Sequence, residues 1–282
     1  MKIFINSHNR AYTLTTPKLL DECGIDYTVI LHNEGQRSEY EMGGRVDMSK
    51  VIVANQPVNM TGIRNWMLES DLIENGEWYV ILDDNITEFQ MVSPPHYYEE
   101  VLPVKKEPSK YKDIYENKVN AIAMLGVFED SIREAEKRGA KLVGFASTPN
   151  FFFRDRKWRE VGYVIGKTQL IKKTDLRYDL NTTSMDDYAW TALNLERFGK
   201  VLINNYFVAL KKHYAKGGIG TYAERLPSKI KDCEYLMKRF EGLFRYKIKA
   251  GTDPRAELAI RFTSLEQVER WRAFMRGKFS TK

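Results

Sequence analysis

The stretch WYVILDDNIT, residues 78–87, determines how the rest of the chain is interpreted. Its first five residues form an unbroken apolar run, which is typical of a strand buried on both faces of a sheet. The run ends in Asp83, Asp84 and Asn85. Two adjacent carboxylates in such a place lose hydration and repel each other unless a cation or polar ligand compensates them. The stretch therefore predicts a ligand site at the end of a buried strand.

Strand and helix patterns alternate before this run. The apolar pattern predicts strands over 2–7, 26–31 and 51–54. It predicts helices over 17–23 and 62–72. This order predicts an α/β fold with a mostly parallel central sheet flanked by helices. Ligands of such sheets bind at the carboxyl ends of the strands. Polar residues follow two of the predicted strands there: Ser7, Asn9, Arg10, Asn33 and Glu34.

The second half of the chain has a more varied pattern. Residues 91–112 contain four prolines and predict a long surface loop or lid. A long helix or a broken pair of helices is predicted over 113–139, and one helix over 186–199. Strands are predicted over 141–146, 160–172 and 201–210, the second of these as one or two strands. The segment after Pro227 is basic and predicted to be largely helical.

Composition excludes several classes of protein. The 282 residues, 43% of them hydrophobic and 29% charged, suit a folded α/β domain with a smaller appendage. Cys23 and Cys233 are the only cysteines, so neither a disulfide scaffold nor a zinc ribbon is expected. The start of the chain does not resemble a signal peptide, and no apolar window is long enough to span a bilayer. We expect a soluble, cytoplasmic protein without a membrane partner.

The charge of the chain is unevenly distributed. Of the net charge of +6, residues 225–282 contribute +8, from 15 basic and seven acidic residues, and the remainder contributes −2. This asymmetry predicts a polyanionic partner. The alternative is that the basic segment is simply a solvated helical surface.

Three polar motifs are candidates for the chemistry. Asp83, Asp84 and Asn85 offer oxygen ligands suited to Mg²⁺ or Mn²⁺, although such residues also form ordinary turns. In TTSMDDYAWTALNLERFG, from residue 182, Thr183 or Ser184 is predicted to cap a helix whose first turn contains Asp186 and Asp187. Asp187 is a candidate general base, against the alternative that both acids merely cap the helix.

The third motif is KKHYAKGGIGTY, from residue 211. Its glycine amides are predicted to cradle phosphate, with Lys211, Lys212 and Lys216 supplying positive charge. His213 would add a nitrogen ligand to Asp83 and Asn85, which Mn²⁺ accepts. The alternative is an ordinary glycine-containing loop.

In this order, the motifs resemble the pattern of the GT-A glycosyltransferases. In that family a DxD-type motif ends the fourth strand, a later acidic motif opens a helix and carries the base of inverting members, and a histidine completes the metal site. The matching residues here are Asp83-Asp84-Asn85, Met185-Asp186-Asp187 and His213. Asn85 stands where the family usually has an acid, which weakens metal binding by one charge.

The resemblance covers residues 1–222. It implies a GT-A (Rossmann-like) domain with a nucleotide-sugar half at about 1–90 and an acceptor half at about 113–222, followed by a basic, mainly helical extension over 223–282. The implied contacts to the nucleotide sugar come from SHNRAYTL, GIRNWML, the acidic turn and the glycine loop: Ser7, Asn9, Arg10, Arg64, Asn65, Asp83, Asp84, Lys216, Gly217 and Gly218.

Within this family, the chain looks most like the phage and TET/J-binding-protein-associated glycosyltransferases, which are thought to glycosylate hydroxymethylated pyrimidines in DNA. This implies a DNA acceptor, and the cytoplasm of a host cell if the protein is phage-encoded. The basic extension suits phosphate contacts. Residues of one aromatic loop are candidates to stack on an extruded base, against the alternative of core phenylalanines and rim arginines: Phe152, Phe153, Arg154, Arg156 and Trp158.

The sequence thus predicts a metal-dependent, inverting transfer of a sugar from a nucleoside diphosphate sugar, such as a UDP-hexose, to a hydroxyl of a modified pyrimidine in DNA. Asp187 is the predicted base. Three alternatives stay open: a glycosyltransferase acting on a glycan or small molecule, a nucleotidyltransferase, and a non-catalytic nucleic-acid-binding protein. A nucleotidyltransferase usually has a glycine-rich first loop, which SHNRAYTLTT lacks. The P-loop and dinucleotide-binding fingerprints are also missing, which argues against kinases and dehydrogenases.

Overall fold

A computed structural model describes residues 1–56, 59–93, 115–150, 158–211, 218, 220–248 and 251–280. The strands are β1 Lys2–Ser7, β2 Thr28–Leu31, β3 Val51–Val53, β4 Trp78–Asp83, β5 Ile86–Ser93, β6 Tyr115–Val119, β7 Leu142–Phe145, β8 Trp158–Arg159, β9 Thr168–Lys172, β10 Leu202–Asn204, β11 Phe207–Lys211, β12 Phe244–Tyr246 and β13 Leu258–Ile260. The helices are α1 Thr16–Asp21, α2 Arg37–Gly43, α3 Met60–Glu69, α4 Ala121–Arg138, α5 Asp186–Phe198, α6 Tyr222–Arg239 and α7 Leu265–Ser280. Short 3-10 turns lie at Glu34–Gln36, Met48–Lys50 and Pro254–Ala256.

The main sheet has eight strands in the order β3-β2-β1-β4-β9-β7-β10-β8. Among the described strands, four of its seven pairings are parallel, namely β1 with β2, β1 with β4, β2 with β3, and β7 with β10. The other three pairings are antiparallel. The predicted α/β class, with a central sheet flanked by helices, is confirmed. Because β1 to β4 run in the same direction, their carboxyl ends share one edge of the sheet.

Strand β4 lies in the middle of this sheet, between β1 and β9. Tyr79 to Leu82 are all buried, as the apolar run predicts. Val80 and Leu82 pack into one hydrophobic layer, whereas Tyr79 and Ile81 pack into the opposite layer. A strand covered on both faces needs apolar side chains at every position, and this explains the absence of alternation in the sequence.

A smaller sheet begins where β4 ends. Asp84 and Asn85 form the turn between β4 and β5, and β5 pairs with β6 and β11 in a separate three-stranded sheet. Its stacked Phe89 and Phe207 pack into the same layer as Val80. The acidic turn therefore lies at the junction of two sheets.

The structure differs from the predicted elements at several places. Residues 115–119, predicted as part of a helix, form β6. The helix begins only after Asn120, whose side chain caps α4 by accepting a hydrogen bond from the Ala123 amide. The strand predicted over 201–210 is two strands in different sheets, since the chain turns at Asn205. Helix α2 was not predicted.

The segment after residue 222 packs against the main sheet. Leu236 of α6 and Trp271 of α7 belong to the same buried layer as Phe4 and Ile81. The segment also contains a two-stranded hairpin, β12 with β13, in addition to the predicted helices. Among the residues that the structure describes, no helix has both the length and the apolar character needed to cross a bilayer.

Gly144 of β7 provides a test of how tightly the main sheet packs against the segment that contains Val164. A Cβ atom at this position would lie 2.5 Å from Cγ1 of the buried Val164, well inside van der Waals contact. We expect Gly144→Ala to lower the free energy of unfolding by about 1–3 kcal/mol, measured by chemical denaturation.

The control for this variant is Gly62→Ala in α3. The nearest atom to its added Cβ is 3.9 Å away, and alanine favours a helix. This variant should leave stability unchanged or raise it by up to about 1 kcal/mol. Equal stability of the two variants would contradict the packing described for Gly144.

Candidate active site

The acidic turn at the end of β4 is fixed by the start of α1. Thr16 Oγ1 donates to the Asp83 carbonyl at 2.5 Å and accepts from the Ile86 amide at 2.9 Å. The amides of Thr15 and Thr16 donate to the Asp84 carbonyl at 3.1 and 3.2 Å. All these contacts use backbone groups of the turn, so its side chains remain available for other partners.

Asp84 points into a buried polar network beneath the loop after β1. Its Oδ2 accepts from Ser7 Oγ at 2.7 Å, and its Oδ1 lies 3.1 Å from Arg10 Nε. Ser7 uses its single proton for Asp84, so the 2.6 Å contact with Tyr40 is donated by the Tyr40 hydroxyl. Burial raises the pKa of Asp84 to about 6, although Arg10 and Ser7 act in the opposite direction.

Asp83 is held differently from its neighbour. Its Oδ2 forms an ion pair with Nζ of Lys211, the last residue of β11. About a quarter of each side chain is exposed, 24% for Asp83 and 23% for Lys211. The ion pair therefore faces the carboxyl edge of the sheet, with access to solvent, whereas the Asp84 network does not.

The second acidic motif lies in the first turn of α5, as predicted. Asp186 forms an ion pair with Arg64 of α3, and both side chains are almost fully buried. Burial disfavours the charged guanidinium, yet the Asp186 carboxylate raises the pKa of Arg64 above its ordinary value. The guanidinium also lies 5.2 Å from the centre of the Tyr178 ring. Arg64 is therefore a permanent cation beneath the start of α5.

Asp187 accepts hydrogen bonds from three donors. Its Oδ2 accepts from the Tyr163 hydroxyl and from the Gly166 amide at 3.1 Å, and its Oδ1 accepts from the Tyr188 amide at 2.9 Å. Burial, together with the adjacent Asp186 carboxylate, raises the pKa of Asp187 to about 6. The hydrogen bonds from Tyr163 and Gly166 oppose this rise without cancelling it.

The dipeptide Gly166-Lys167 connects the two acidic motifs. The Asp83 amide donates to the Lys167 carbonyl at 2.9 Å, and the adjacent residue Gly166 donates to Asp187. A Cβ atom on Gly166 would lie 3.3 Å from the Asp187 Cβ and 3.6 Å from the guanidinium of Arg64. Two motifs about 100 residues apart in sequence thus meet at one edge of the sheet, across a position where little space remains.

Helix α5 is capped by a residue that the sequence did not indicate. The predicted caps, Thr183 and Ser184, do not perform this role, because the N-cap is Met185 and its side chain makes no capping bond. Instead the Asp232 carboxylate of α6 accepts from three successive amides, those of Thr183, Ser184 and Met185, at 2.9, 2.6 and 3.0 Å. Asp232 lies inside α6, 47 to 49 residues after the amides it accepts from, so local spacing contains no signal for it.

The loop after β1 contains the remaining predicted nucleoside contacts. Asn9 has a left-handed backbone conformation, with φ of 52°, which asparagine tolerates better than most residues. Gln36 Nε2 donates to Asn9 Oδ1 at 2.7 Å and lies 2.7 Å from His8 Nδ1. The loop after β1 is therefore held by one side chain, that of Gln36 immediately before α2.

Other predicted site residues have varied surroundings. The Asn65 side chain donates to the Tyr178 carbonyl at 3.0 Å and accepts from the Tyr178 amide at 2.7 Å. The Gly218 amide donates to the His8 carbonyl at 3.0 Å, and Gly218 lies against the Arg10 guanidinium. Trp158 begins β8 and packs partly against the core. The other predicted residues lie outside the described part of the chain: Phe152, Phe153, Arg154, Arg156, His213, Lys216 and Gly217. Their roles stay predictions.

The described residues fit a divalent ion poorly. Asp83 already pairs with Lys211 and Asp84 with Arg10, so each carboxylate of the turn has a fixed cation. Asn85 is buried and uncharged. Within the described ranges, no three His, Cys, Asp or Glu side chains are grouped as a metal site would require. Mg²⁺ or Mn²⁺ therefore stays a prediction that involves His213.

A cavity of about 350 Å³ opens beside these motifs. It is lined by the loop after β1, the start of α3, the residues before α5, and α6: His8, Asn59, Met60, Thr183, Ser184, Gly218, Glu224, Arg225 and Ser228. Its size suits part of a small polar molecule. Helix α6 forms one wall, so the segment predicted as a separate extension contributes to the site.

Comparison with known proteins gives limited information. No protein-family profile and no curated protein matches the chain. Among solved structures, TarS 1–349 of S. aureus is similar over 84% of this chain and 66% of its own, with a TM-score of 0.44 and 11% identity. A197 from STIV is similar over 75% and 86%, with a TM-score of 0.36 and 11% identity. The chain thus spans slightly less than two thirds of the TarS structure, and likenesses this weak do not establish a family.

Asp232 provides a test of how α5 is held. Asp232→Ala leaves three backbone amides without their acceptor, and we expect the free energy of unfolding to fall by about 2–3 kcal/mol. Amide hydrogen exchange at Thr183, Ser184 and Met185 should also become faster. The control is Glu234→Ala on the exposed face of the same helix, for which both measurements should stay close to wild type. Similar effects of the two substitutions would contradict a specific role of Asp232.

Proposed function

We propose that this chain is a glycosyltransferase that transfers a sugar from a nucleoside diphosphate sugar to an acceptor hydroxyl. The observation that supports this most is the meeting of two acidic motifs across Gly166-Lys167, at the edge of the sheet where ligands of α/β proteins bind. One motif pairs with cations suited to a diphosphate, and the other contains a carboxylate suited to accept a proton. Sugar transfer requires both groups next to each other.

The donor is proposed to lie across the ends of β1 and β4. Arg10 is fixed by Asp84 and lies against Gly218, so it joins the loop after β1 to the start of the glycine-containing segment. A guanidinium held in this way binds phosphate or a nucleoside with little loss of side-chain entropy. The simplest donor is a UDP-hexose, with its base near Asn9 and Arg10, as the resemblance to GT-A proteins implies.

The reaction is an inverting displacement. The acceptor oxygen forms a bond to the anomeric carbon while the bond from this carbon to the diphosphate oxygen breaks, and its electron pair leaves with the diphosphate. The acceptor proton passes to Asp187. The products are the glycoside, with inverted anomeric configuration, and a nucleoside diphosphate.

Asp187 has the features of such a base. A carboxylate offers about four lone-pair positions, and Tyr163, Gly166 and Tyr188 use three of them, so one remains for the acceptor hydroxyl. Its raised pKa, about 6, makes it a stronger base than an ordinary aspartate while it stays mostly ionised at neutral pH. The three donors fix its orientation before substrate binds.

For the acceptor we propose a 5-hydroxymethylpyrimidine in DNA. The support is the resemblance to the DNA-modifying group and the net charge of +8 over residues 225–282. The cavity lined in part by Ser184 and Arg225 is the proposed position of the acceptor, next to the start of α5. A glycan or a small hydroxylated molecule would use the same chemistry and is the alternative acceptor.

The proposed function is tested by diphosphate release from a panel of nucleotide sugars. Each donor is incubated with unmodified DNA, with duplex DNA containing hydroxymethylcytosine or hydroxymethyluracil, and with simple sugars. Release that depends on modified DNA supports the full proposal. Release that depends on a sugar acceptor supports the glycosyltransferase and changes the acceptor. If no donor binds and no diphosphate is released under any condition, the proposed function is wrong.

Asp187→Asn separates catalysis from donor binding. The amide keeps the shape of the side chain but accepts no proton, so kcat should fall by roughly 10²–10⁴-fold while the Kd for the nucleotide sugar changes little. The control is Asp175→Asn, which alters an exposed ion pair with Arg197 and should leave kcat unchanged. Loss of donor binding in Asp187→Asn would place this residue in the donor site instead.

The raised pKa of Asp187 also predicts a pH profile. Because the ionised carboxylate is the active form, kcat/KM should fall about tenfold per pH unit below pH 6. The pKa of Asp187 is higher in the folded protein than the value of 3.8 expected for the unfolded chain, so the folded state binds this proton more tightly. Protonation of Asp187 at low pH therefore stabilises the folded state. Activity at pH 5 should therefore be about a tenth of that at neutral pH, while circular dichroism shows that the protein stays folded. An activity that stays constant down to pH 5 would argue against Asp187 as the base.

A further inference from the structure

Lys211 has a position that the sequence pattern alone does not explain. It is the last residue of β11, which pairs with β5 so that Lys211 lies opposite Ile86, next to the acidic turn. The register of this pairing shifts between Leu210 and Lys211. Irregularities of this kind redirect a side chain and are frequent beside active sites. Here the redirected ammonium contacts Asp83.

The charge of this lysine is secured by its surroundings. The Asp83 carboxylate forms an ion pair with the ammonium, so the positive charge is compensated although the side chain is mostly buried. An ammonium has three N–H donors, and the hydrogen bond to Asp83 uses one. The side chain is 23% exposed, so the remaining donors can reach a ligand at the edge of the sheet.

This arrangement conflicts with a divalent ion on Asp83. A metal at this carboxylate would lie beside the Lys211 ammonium, and two cations a few ångströms apart repel each other. The neighbouring Asp84 is paired with Arg10 and turned into the buried network. The turn therefore already contains the positive charge that a metal would otherwise supply.

We propose that the Lys211 ammonium, held by Asp83, supplies the positive charge that stabilises the departing diphosphate, so that sugar transfer proceeds without a divalent metal ion. This inference rests on the proposed glycosyltransferase function. As the bond between the anomeric carbon and the diphosphate oxygen breaks, its electron pair stays on the diphosphate, and Lys211 donates hydrogen bonds to the phosphate oxygens where negative charge increases. Lys211 remains protonated, and the acceptor proton goes to Asp187 as before.

The first experiment compares the wild-type protein in excess EDTA with the same protein in Mg²⁺ or Mn²⁺. The rate of diphosphate release should agree within about threefold across these conditions, since a loss of leaving-group stabilisation costs about 10²–10³-fold in kcat. Rates that are lost in EDTA and restored by Mn²⁺ would overturn this inference and leave the glycosyltransferase function intact. Absence of both release and donor binding under every condition would instead overturn the proposed function.

The second experiment uses two substitutions and a matched control. In EDTA, Lys211→Met should lower kcat by roughly a hundredfold or more and weaken binding of UDP, measured by calorimetry. Lys211→Arg keeps a cation and should recover part of both quantities. The control is Lys172→Met, which removes another strand lysine paired with a carboxylate, Glu136, at the opposite end of β4 and β9. This variant should match wild type.

The outcomes remain distinguishable if a variant folds poorly. Circular dichroism first establishes that Lys211→Met and Lys172→Met are folded. If Lys211→Met is not, the EDTA comparison on the wild-type protein and the binding of UDP by Lys211→Arg decide the question. A folded Lys211→Met variant with wild-type kcat and UDP affinity in EDTA would show that Lys211 does not contact the diphosphate.

Discussion

The desolvation of four carboxylates at one edge of the main sheet is the constraint on which this structure depends. Removing a carboxylate from water costs several kcal/mol unless a cation or several donors replace the lost hydration. Each carboxylate is compensated by its own partners, and these come from different elements. The pairs are Asp84 with Arg10 and Ser7, Asp83 with Lys211, Asp186 with Arg64, and Asp187 with Tyr163 and Gly166. Removing the partners of a buried member, such as Arg64 of Asp186, would leave a carboxylate in a largely apolar environment.

These pairings make the site a property of the whole fold. The partners come from the end of β1 and the loop after it, from α3, from the segment before β9 and from the end of β11, and they meet only when the sheet is assembled. Loop-closure entropy must be offset before such distant contacts form. The site is therefore complete only in the native state, with its cations and donors already oriented. Groups oriented in this way stabilise charge that develops during a reaction without further reorganisation.

Local sequence patterns predicted much of this fold but little of the site's connectivity. The buried run before Asp83 and the acidic first turn of α5 were correctly located, because an unbroken apolar run and the apolar spacing of a helix are both visible over a short stretch of sequence. The assignment of 115–119 to a helix failed, since β6 is specified by its pairing with β5 and not by a local pattern. The roles of Asp232 and Tyr163 had no local signal, because each acts on a residue or loop more than 20 positions away.

The basic character of residues 225–282 has more than one cause. Arg239 forms a two-fold hydrogen-bonded ion pair with Glu196 of α5, at 2.9 and 2.8 Å, so its charge is neutralised within the fold. Arg272 donates to the carbonyls of Glu196 and Arg197, both at 2.9 Å. These carbonyls lie at the carboxyl end of α5, where the helix dipole favours a positive charge. Together with Asp232 at the opposite end of α5, these residues hold the helix that contains the predicted base. The net charge of this segment therefore overstates the positive surface available to a polyanion, and any affinity for DNA must come from cations that are not committed to α5.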